Sequence, residues 1–366
     1  MDYYHKNIRQ LEGNLLILFI TKRSNEINQF YTLSPGNGNN IVDTDPLEYY
    51  LGKRSERYET ESVSLLGSCN GLVAILYDNK LILWNPLTKK QSFIRVVKNG
   101  VLDVEDSYGH GYLFGLCYDS SKDEYVMIVG FEYKIPPGSN YGADVGYGRK
   151  GCMKVYFYNF KHDSERVRII ATEFKYMYRK LYAGDVGKVI RGVPHWIIQY
   201  MDPNTSLKND IIYLDLNEEK FKKMARPDES RDKRLLGLAT LDGENQLGCV
   251  LRDIACANLE VWVMKEYGNS ESWSNVFTFP YMNMVDDRRL MLSNPSDIDV
   301  LGFMPSGELL VNLNGRELRV YDIDKGKSME MKPQGIYSDF VIVCEPRLIS
   351  PPEPQIGVRQ KQKLKM

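Results

Sequence analysis

Residues able to do chemistry are few in this sequence, and they are widely spaced. Gly146, Gly148 and Gly151 in "GYGRKG" satisfy the spacing G-x-G-x-x-G. In a dinucleotide site that motif follows a strand and opens a helix, so that the helix N-terminus faces a pyrophosphate. Here it leads into "MKVYFYNF", a run with strand character, and no H-R-D or D-F-G segment accompanies it as a kinase loop would require. We read it as a glycine-rich loop, and no cofactor is expected. The histidines His5, His110, His162 and His195 lie far apart in the chain, and there is no G-x-S-x-G elbow. Cys69, Cys117, Cys152, Cys249, Cys256 and Cys344 include no C-x-x-C pair, so neither a zinc knuckle nor a redox motif is indicated, and buried free thiols are expected. Distant residues can still meet in a ring-shaped fold. A hydrolase or carbohydrate-binding site in a central channel therefore stays open at this point.

Composition narrows the partners. The chain has 366 residues, 43% of them hydrophobic, with a formal net charge of -1, so no overall field draws it to nucleic acid or to an anionic membrane. The basic cluster Arg359, Lys361, Lys363 and Lys365 falls in the last residues, which read as a solvated tail over 352–366. The apolar run "NLLILFI" is too short to cross a bilayer and precedes no small-residue cleavage site. A cytoplasmic or nuclear location is the expectation.

The elements that must position any site are short strands. In "LLGSCNGLVAILYDNKLILWNPLTKK" two apolar runs, Leu72 to Leu76 and Leu81 to Trp84, flank the turn residues Asp78 and Asn79. "NPLTKK" then places Asn and Pro as a type I turn prefers, and "SFIRVV" follows as a further strand. With "SLLG" ahead of the turn "GSCNG", four antiparallel strands a, b, c and d are expected in order. The pattern returns through "YDSSKDE", "GDVGK", "LDGEN" and "MPSGE" for the first turn, and through "MKVYFYNF", "DIIYLDL", "LEVWVM" and "LRVYDI" for the third strand. Asn85, Asn159, Asp215 and Asp322 end four of these third strands, where a short polar side chain can bond back into the turn. At the two ends, "NLLILFI" and "NQFYTLS" lack a first strand, while "SDFVIVCEP" is a strand without a blade. Pairing them closes a ring and removes its open edges. The expected fold is all-β, a single β-propeller of about six four-stranded blades, antiparallel throughout and closed by its N- and C-terminal strands.

In order, "GSCNGLVAIL...LILWNPLTKK", "FGLCYDSSKDEYVMIVG", "MKVYFYNF", "GKVIRGVPHWII", "IIYLDLNEEKF" and "LEVWVMKEYGNSESW" resemble the plant F-box associated domain, kelch-like in build. The resemblance covers 14–351, leaving 1–13 as a short N-terminal remnant. It implies a substrate receptor of a Skp/cullin/F-box ubiquitin ligase, with the propeller capturing the protein to be ubiquitinated. It also implies that a Skp-type adaptor is bound only where an F-box is supplied upstream, because the Leu- and Pro-rich F-box segment would precede "MDYYHKNIRQ". An enzyme would place polar residues on innermost strands, whereas "LVAIL", "YVMIVG" and "LGCVL" are apolar, and no catalytic residue is expected. A scaffold that has left its ligase role is a third reading.

The expected capture surface comes from loop lengths. The a–b and c–d turns are short and share one face of the ring, and the longer b–c and d–a connections share the other. Long connections in a compact domain are commonly recognition loops. They carry Tyr108, Tyr133, Tyr141, Tyr147, Arg149, Tyr176, Tyr178 and Arg179, and Tyr and Arg are enriched at protein-binding hot spots.

Overall fold

The computed structural model describes residues 16–23, 26–33, 41–43, 63–77, 80–95, 112–132, 151–162, 164–172, 185–201, 207–227, 233–241, 245–253, 258–280, 298–304, 307–313, 317–330, 338–344 and 347–352. They form six sheets. Blade 2 shows the plan: β4 (Val63–Cys69), β5 (Leu72–Tyr77), β6 (Lys80–Trp84) and β7 (Gln91–Arg95) pair antiparallel in sequence order. Its a–b link needs only Asn70 and Gly71, both at positive φ (51° and 80°), the geometry of a type I′ hairpin turn. The turn is thus tighter than "GSCNG" suggests, since Gly67, Ser68 and Cys69 belong to the strand.

The same order builds the other blades. Blade 3 contains β8 (Tyr112–Asp119), β9 (Glu124–Glu132), β10 (Gly151–Asn159) and β11 (Ser164–Thr172). Blade 4 contains β13 (Lys188–Ile190), β14 (Val193–Met201), β15 (Leu207–Asp215) and β16 (Lys220–Met224). Blade 5 contains β17 (Arg234–Leu241), β18 (Gln246–Arg252), β19 (Asn258–Met264) and β20 (Trp273–Pro280), and blade 6 contains β21 (Ile298–Phe303), β22 (Leu309–Leu313), β23 (Glu317–Asp322) and β24 (Lys327–Glu330). The expectation of uniform four-stranded, antiparallel blades fails at blade 3. There β12 (Asp185–Val186) adds a fifth strand, parallel to β8, because the chain entering blade 4 first lies along the start of β8.

Blade 1 closes the ring as expected from the chain ends. Its order is β25 (Ser338–Cys344), β1 (Leu16–Arg23), β2 (Glu26–Leu33) and β3 (Ile41–Asp43). Cys344 pairs with Leu16 and Phe340 with Ile20, so the C-terminal strand is the first strand of the N-terminal blade. First strands of successive blades meet around the circle, β25 touching both β4 and β21. The two termini therefore hold the ring shut by backbone pairing between β25 and β1.

A repeated glycine lets these first strands approach. It occurs in "LLG" at Gly67, "LFG" at Gly115, "LLG" at Gly237 and "VLG" at Gly302. On β4, β17 and β21 the pairing slips by one residue just before the glycine, leaving buried Leu66, Leu236 and Leu301 as bulges between blades. A Cβ on Gly67 would stand 2.9 Å from the Leu116 backbone nitrogen, and one on Gly115 would stand 2.7 Å from both Pro194 Cβ and Trp196 Cζ2. The core lies between blades, where Leu66, Leu72, Leu116, Met127, Tyr156 and Phe160 pack together between blades 2 and 3.

The polar residue that closes the third strand in blades 2, 3, 4 and 6 does what its position requires. Asn85 Oδ1 accepts from Leu87 N (2.8 Å) and Thr88 N (3.0 Å), Asn159 Oδ1 from Lys161 N (3.0 Å) and His162 N (3.1 Å), and Asp215 Oδ1 from Asn217 N (2.9 Å) and Glu218 N (3.0 Å). Asp322 Oδ1 accepts from Lys325 N at 3.0 Å. What the other end of the side chain meets decides between Asn and Asp. Asn85 Nδ2 donates to the carbonyls of Arg347 and Ile349, and Asn159 Nδ2 donates to Glu124 Oε2. Asp215 Oδ2 accepts from Lys222 Nζ (2.7 Å) and Asp322 Oδ2 from Lys325 Nζ (2.6 Å). These lysine partners hold both carboxyls below their usual range. In blade 5 the position is Met264, whose sulfur receives Gly268 N at 3.1 Å.

Candidate functional site

The short turns do share a face. In blade 3 the c–d turn residue Lys161 donates from Nζ to the Lys122 and Asp123 carbonyls of the a–b turn, each at 3.3 Å. Glu124 binds the same two turns together, accepting from Asn159 through one oxygen and lying 2.7 Å from His162 Nε2 through the other. His162 is therefore a brace between turns. In blade 2 a segment after β25 crosses both turns: Arg347 Nη1 reaches Asn70 Oδ1 (3.2 Å), Asn85 holds the carbonyls of Arg347 and Ile349, and Lys90 Nζ reaches Ser350 Oγ (3.2 Å). On this face Asp119 is held by Lys122 and Ser121, Asp123 receives the Tyr118 hydroxyl, and Glu218 shares Lys222 with Asp215. Much of its polar chemistry is spent within its own turns.

His195 is a buried structural group. It stands on β14 opposite Tyr213, and its Nδ1 lies 2.9 Å from the Val193 carbonyl, which can only accept. The proton is thus on Nδ1, and Nε2 accepts from the Tyr267 hydroxyl at 2.8 Å, linking blade 4 to the c–d turn of blade 5. Burial pushes the imidazole down to about 4 and the Tyr267 phenol up to about 12. The Arg191 guanidinium lies over the Tyr267 ring at 5.3 Å. Cys69, Cys117, Cys152, Cys249 and Cys344 are free and buried, and desolvation raises Cys117 to about 12.

The apolar runs "LVAIL", "YVMIVG" and "LGCVL" form β5, β9 and β18, the second strands of their blades, not the innermost ones. The innermost strands β4, β8, β17 and β21 nevertheless bury Leu65, Leu113, Leu116, Leu235, Leu238 and Val300. Among the described residues, the buried polar side chains are Asn85 in the c–d turn of blade 2 and Ser92, Thr172, His195, Asn209, Glu260, Asn312 and Arg319 on second, third or fourth strands. Glu260 is engaged there by Lys233 Nζ (2.6 and 2.7 Å) and by Trp262 Nε1 (2.9 Å).

Tyr108, Tyr133, Tyr141, Tyr147, Arg149, Tyr176, Tyr178 and Arg179 lie outside the described residues, as do Gly146 and Gly148 of the glycine-rich loop. The strand ends that flank these segments are described. Tyr112 pairs with Phe131, Glu132 with Met153, and Gly151 with Thr172. These residues are the beginnings or ends of β8, β9, β10 and β11, all at the same end of blade 3. Asp185 of β12 pairs with Leu113 at that end as well. The strand residues that border 96–111 on its C-terminal side, and 133–150 and 173–184 on both sides, therefore lie at one end of this sheet, away from the short turns.

A ring of short antiparallel sheets, with its first strands sealed by glycine contacts and the long connections of one blade gathered at one end, defines a β-propeller scaffold. The chain belongs to the F-box associated beta propeller domain family, whose model matches residues 38–303. It is 24% identical to "F-box protein CPR1" of Arabidopsis thaliana over 82% of this chain and 70% of that protein. It is 23% identical to "F-box protein At3g07870" of the same plant over 78% of this chain and 70% of that protein. Among solved structures it is similar to an oligogalacturonate lyase in complex with manganese, at 10% identity and a TM-score of 0.42, over 86% of this chain and 73% of that one. A likeness that loose transfers no chemistry.

Proposed function

We propose that this chain is the substrate-recognition part of a Skp/cullin/F-box ubiquitin ligase, acting in the cytosol or nucleus, and that it captures its target protein with the segments anchored at the long-connection end of blade 3. The observation that carries the reading is the family match across most of the propeller, and the strand ends that border 96–111, 133–150 and 173–184 at one end of blade 3 support it. Tyr and Arg present large contact area and several donors at modest entropic cost, which suits them to a protein interface. The opposite face supports the division of labour, since its Asp119 and Asp322 are engaged by lysines of their own turns, Asp215 by Lys222 of β16 and Glu124 by Asn159.

Adaptor docking is assigned to an F-box and target capture to the propeller. The test is reconstitution: residues 14–351 are offered to a purified Skp-type adaptor with and without an F-box fused ahead of them. The fused form is expected to bind the adaptor and, with a cullin and charged ubiquitin-conjugating enzyme, to ubiquitinate the protein that the propeller co-purifies. Tight adaptor binding by the propeller alone, or a co-purified protein left unmodified by the assembled ligase, would contradict the assignment.

A further inference from the structure

The segment 347–352 is a short peptide seated on a distant part of its own chain, and it joins no sheet. Its partners stand 260 to 277 positions earlier in the sequence, in the two short turns of blade 2. Asn85, fully buried, donates from Nδ2 to two carbonyls that lie two residues apart, Arg347 O at 2.8 Å and Ile349 O at 2.5 Å. Arg347 Nη1 reaches Asn70 Oδ1, and Lys90 Nζ reaches Ser350 Oγ, both at 3.2 Å. The side chains alternate between these bonds. Ile349 packs against the core between blades 2 and 3 and Pro351 is buried, while Leu348 is 85% exposed. Main-chain bonds joined to alternate inward side chains are how a protein recognises an extended peptide.

The choice of asparagine points the same way. Its own turn needs only the Oδ1 acceptor, which Asp215 and Asp322 supply equally well in blades 4 and 6. The amide at residue 85 serves the carbonyls of the seated segment. We infer that this seat, at the short-turn end of blade 2, is a binding site for an extended segment of another protein with the pattern Arg-x-Ile-Ser-Pro, and that the chain fills it with its own 347–351 until such a segment displaces them. Only Glu345 and Pro346 separate Arg347 from β25, so the resident segment competes at an effective concentration on the order of mM. A ligand in trans must outbind a tethered one, which sets a threshold for entry. The site lies at the opposite end of the strands from the long connections of blade 3 and does not rest on the capture role assigned to them.

The probe is a fluorescently labelled synthetic peptide of residues 345–352, titrated against the intact parent and the intact Ile349→Asp chain. That substitution removes the apolar contact that seats the segment and leaves Asn70, Asn85 and Lys90 in place. Ile349→Asp should still melt cooperatively, and it should bind the peptide at least about tenfold more tightly than the parent does, a difference of about 1.4 kcal/mol. The peptide carrying Ile349→Asp itself should not bind. Adding Asn70→Gly to the Ile349→Asp chain keeps a residue suited to the positive φ and removes the partner of Arg347, so binding should weaken. A second measurement leaves the seat intact: a fluorophore attached at Leu348→Cys, where the side chain points to water, should lose anisotropy when roughly millimolar unlabelled peptide releases the segment. Equal binding to parent and Ile349→Asp, binding indifferent to the peptide's isoleucine, or an unchanged anisotropy would each overturn the inference. An Ile349→Asp chain that fails to fold would overturn it too, because an occupant required for folding cannot be exchanged. So would a parent dimer that Ile349→Asp dissolves, since the seat would then hold the segment of a second copy.

Discussion

Asn85→Asp changes one NH2 group to an oxygen and almost no volume, yet the geometry makes it costly. The two acceptor bonds from Leu87 N and Thr88 N survive, since Asp215 and Asp322 make bonds of the same kind. The two donor bonds do not. Oxygen would face the Arg347 and Ile349 carbonyls at separations that were 2.8 and 2.5 Å, and a carboxylate would sit where no surface is exposed to water. Two lost hydrogen bonds cost about 1 kcal/mol each, and orphaned buried acceptors add roughly 1–3 kcal/mol, so a deficit on the order of 3–5 kcal/mol is expected at pH 7. Burial among carbonyls raises the pKa of the introduced acid in the folded state. The deficit should therefore shrink as pH falls through that raised value, where a protonated carboxyl again donates one bond. The reciprocal change Asp215→Asn keeps the turn bonds and loses only the half-exposed Lys222 contact, and is expected to cost under about 1 kcal/mol. Urea unfolding of the parent and both variants measures the contrast. Equal midpoints for Asn85→Asp and Asp215→Asn would refute the account of what chooses Asn or Asp at these turns.

Acid should weaken the chain in a window set by His195. Burial holds its folded pKa at about 4, below the ordinary imidazole value of 6.5, so its contribution is complete above 6.5 and is lost as pH falls from there toward 4. The loss amounts to about 3 kcal/mol, and urea midpoints measured across that range should slope far less in His195→Gln than in the parent. Gly115→Ala should destabilise by about 1–3 kcal/mol, because its new methyl meets Pro194 and Trp196, a change read directly in the urea midpoint. Deleting 338–366 removes the first strand of blade 1 and should give an aggregating product, whereas deleting 347–366 leaves β25 in place and should give a soluble chain with a lowered melting temperature. A soluble, cooperatively melting 1–337 fragment would argue against closure by the termini.

Much of this fold was legible where a local signal coincides with a global role. Asn70-Gly71 marks its hairpin, and Asn85, Asn159, Asp215 and Asp322 mark the ends of third strands because each bonds to its own turn. The unpaired strands at the chain ends pointed to each other, since a lone strand and a blade without its first strand complete one sheet. The repeated "LG" of the first strands was present but hidden, because Gly67 sits beside turn residues and reads as part of the turn. Its purpose, close approach by Leu116 of the next blade, is a contact between strands remote in sequence. β12 is two residues long and carries no periodicity, so only its pairing with Leu113 and Phe114 reveals it. The segment 347–352 is held by Asn70, Asn85 and Lys90, more than two hundred residues away. That the b–c and d–a connections leave blade 3 from one end followed from the alternation of strand direction, and the pairing of Tyr112, Glu132, Gly151 and Thr172 agrees with it.

The central claim is that the segments anchored at that end of blade 3 capture a protein. Quantitative affinity purification of the parent and of Tyr141→Ala with Tyr147→Ala, alongside their melting curves, tests it most directly. The account predicts that the double variant melts with the parent and loses the parent's principal co-purifying protein; an unchanged partner set, or a collapsed melting transition, would contradict it.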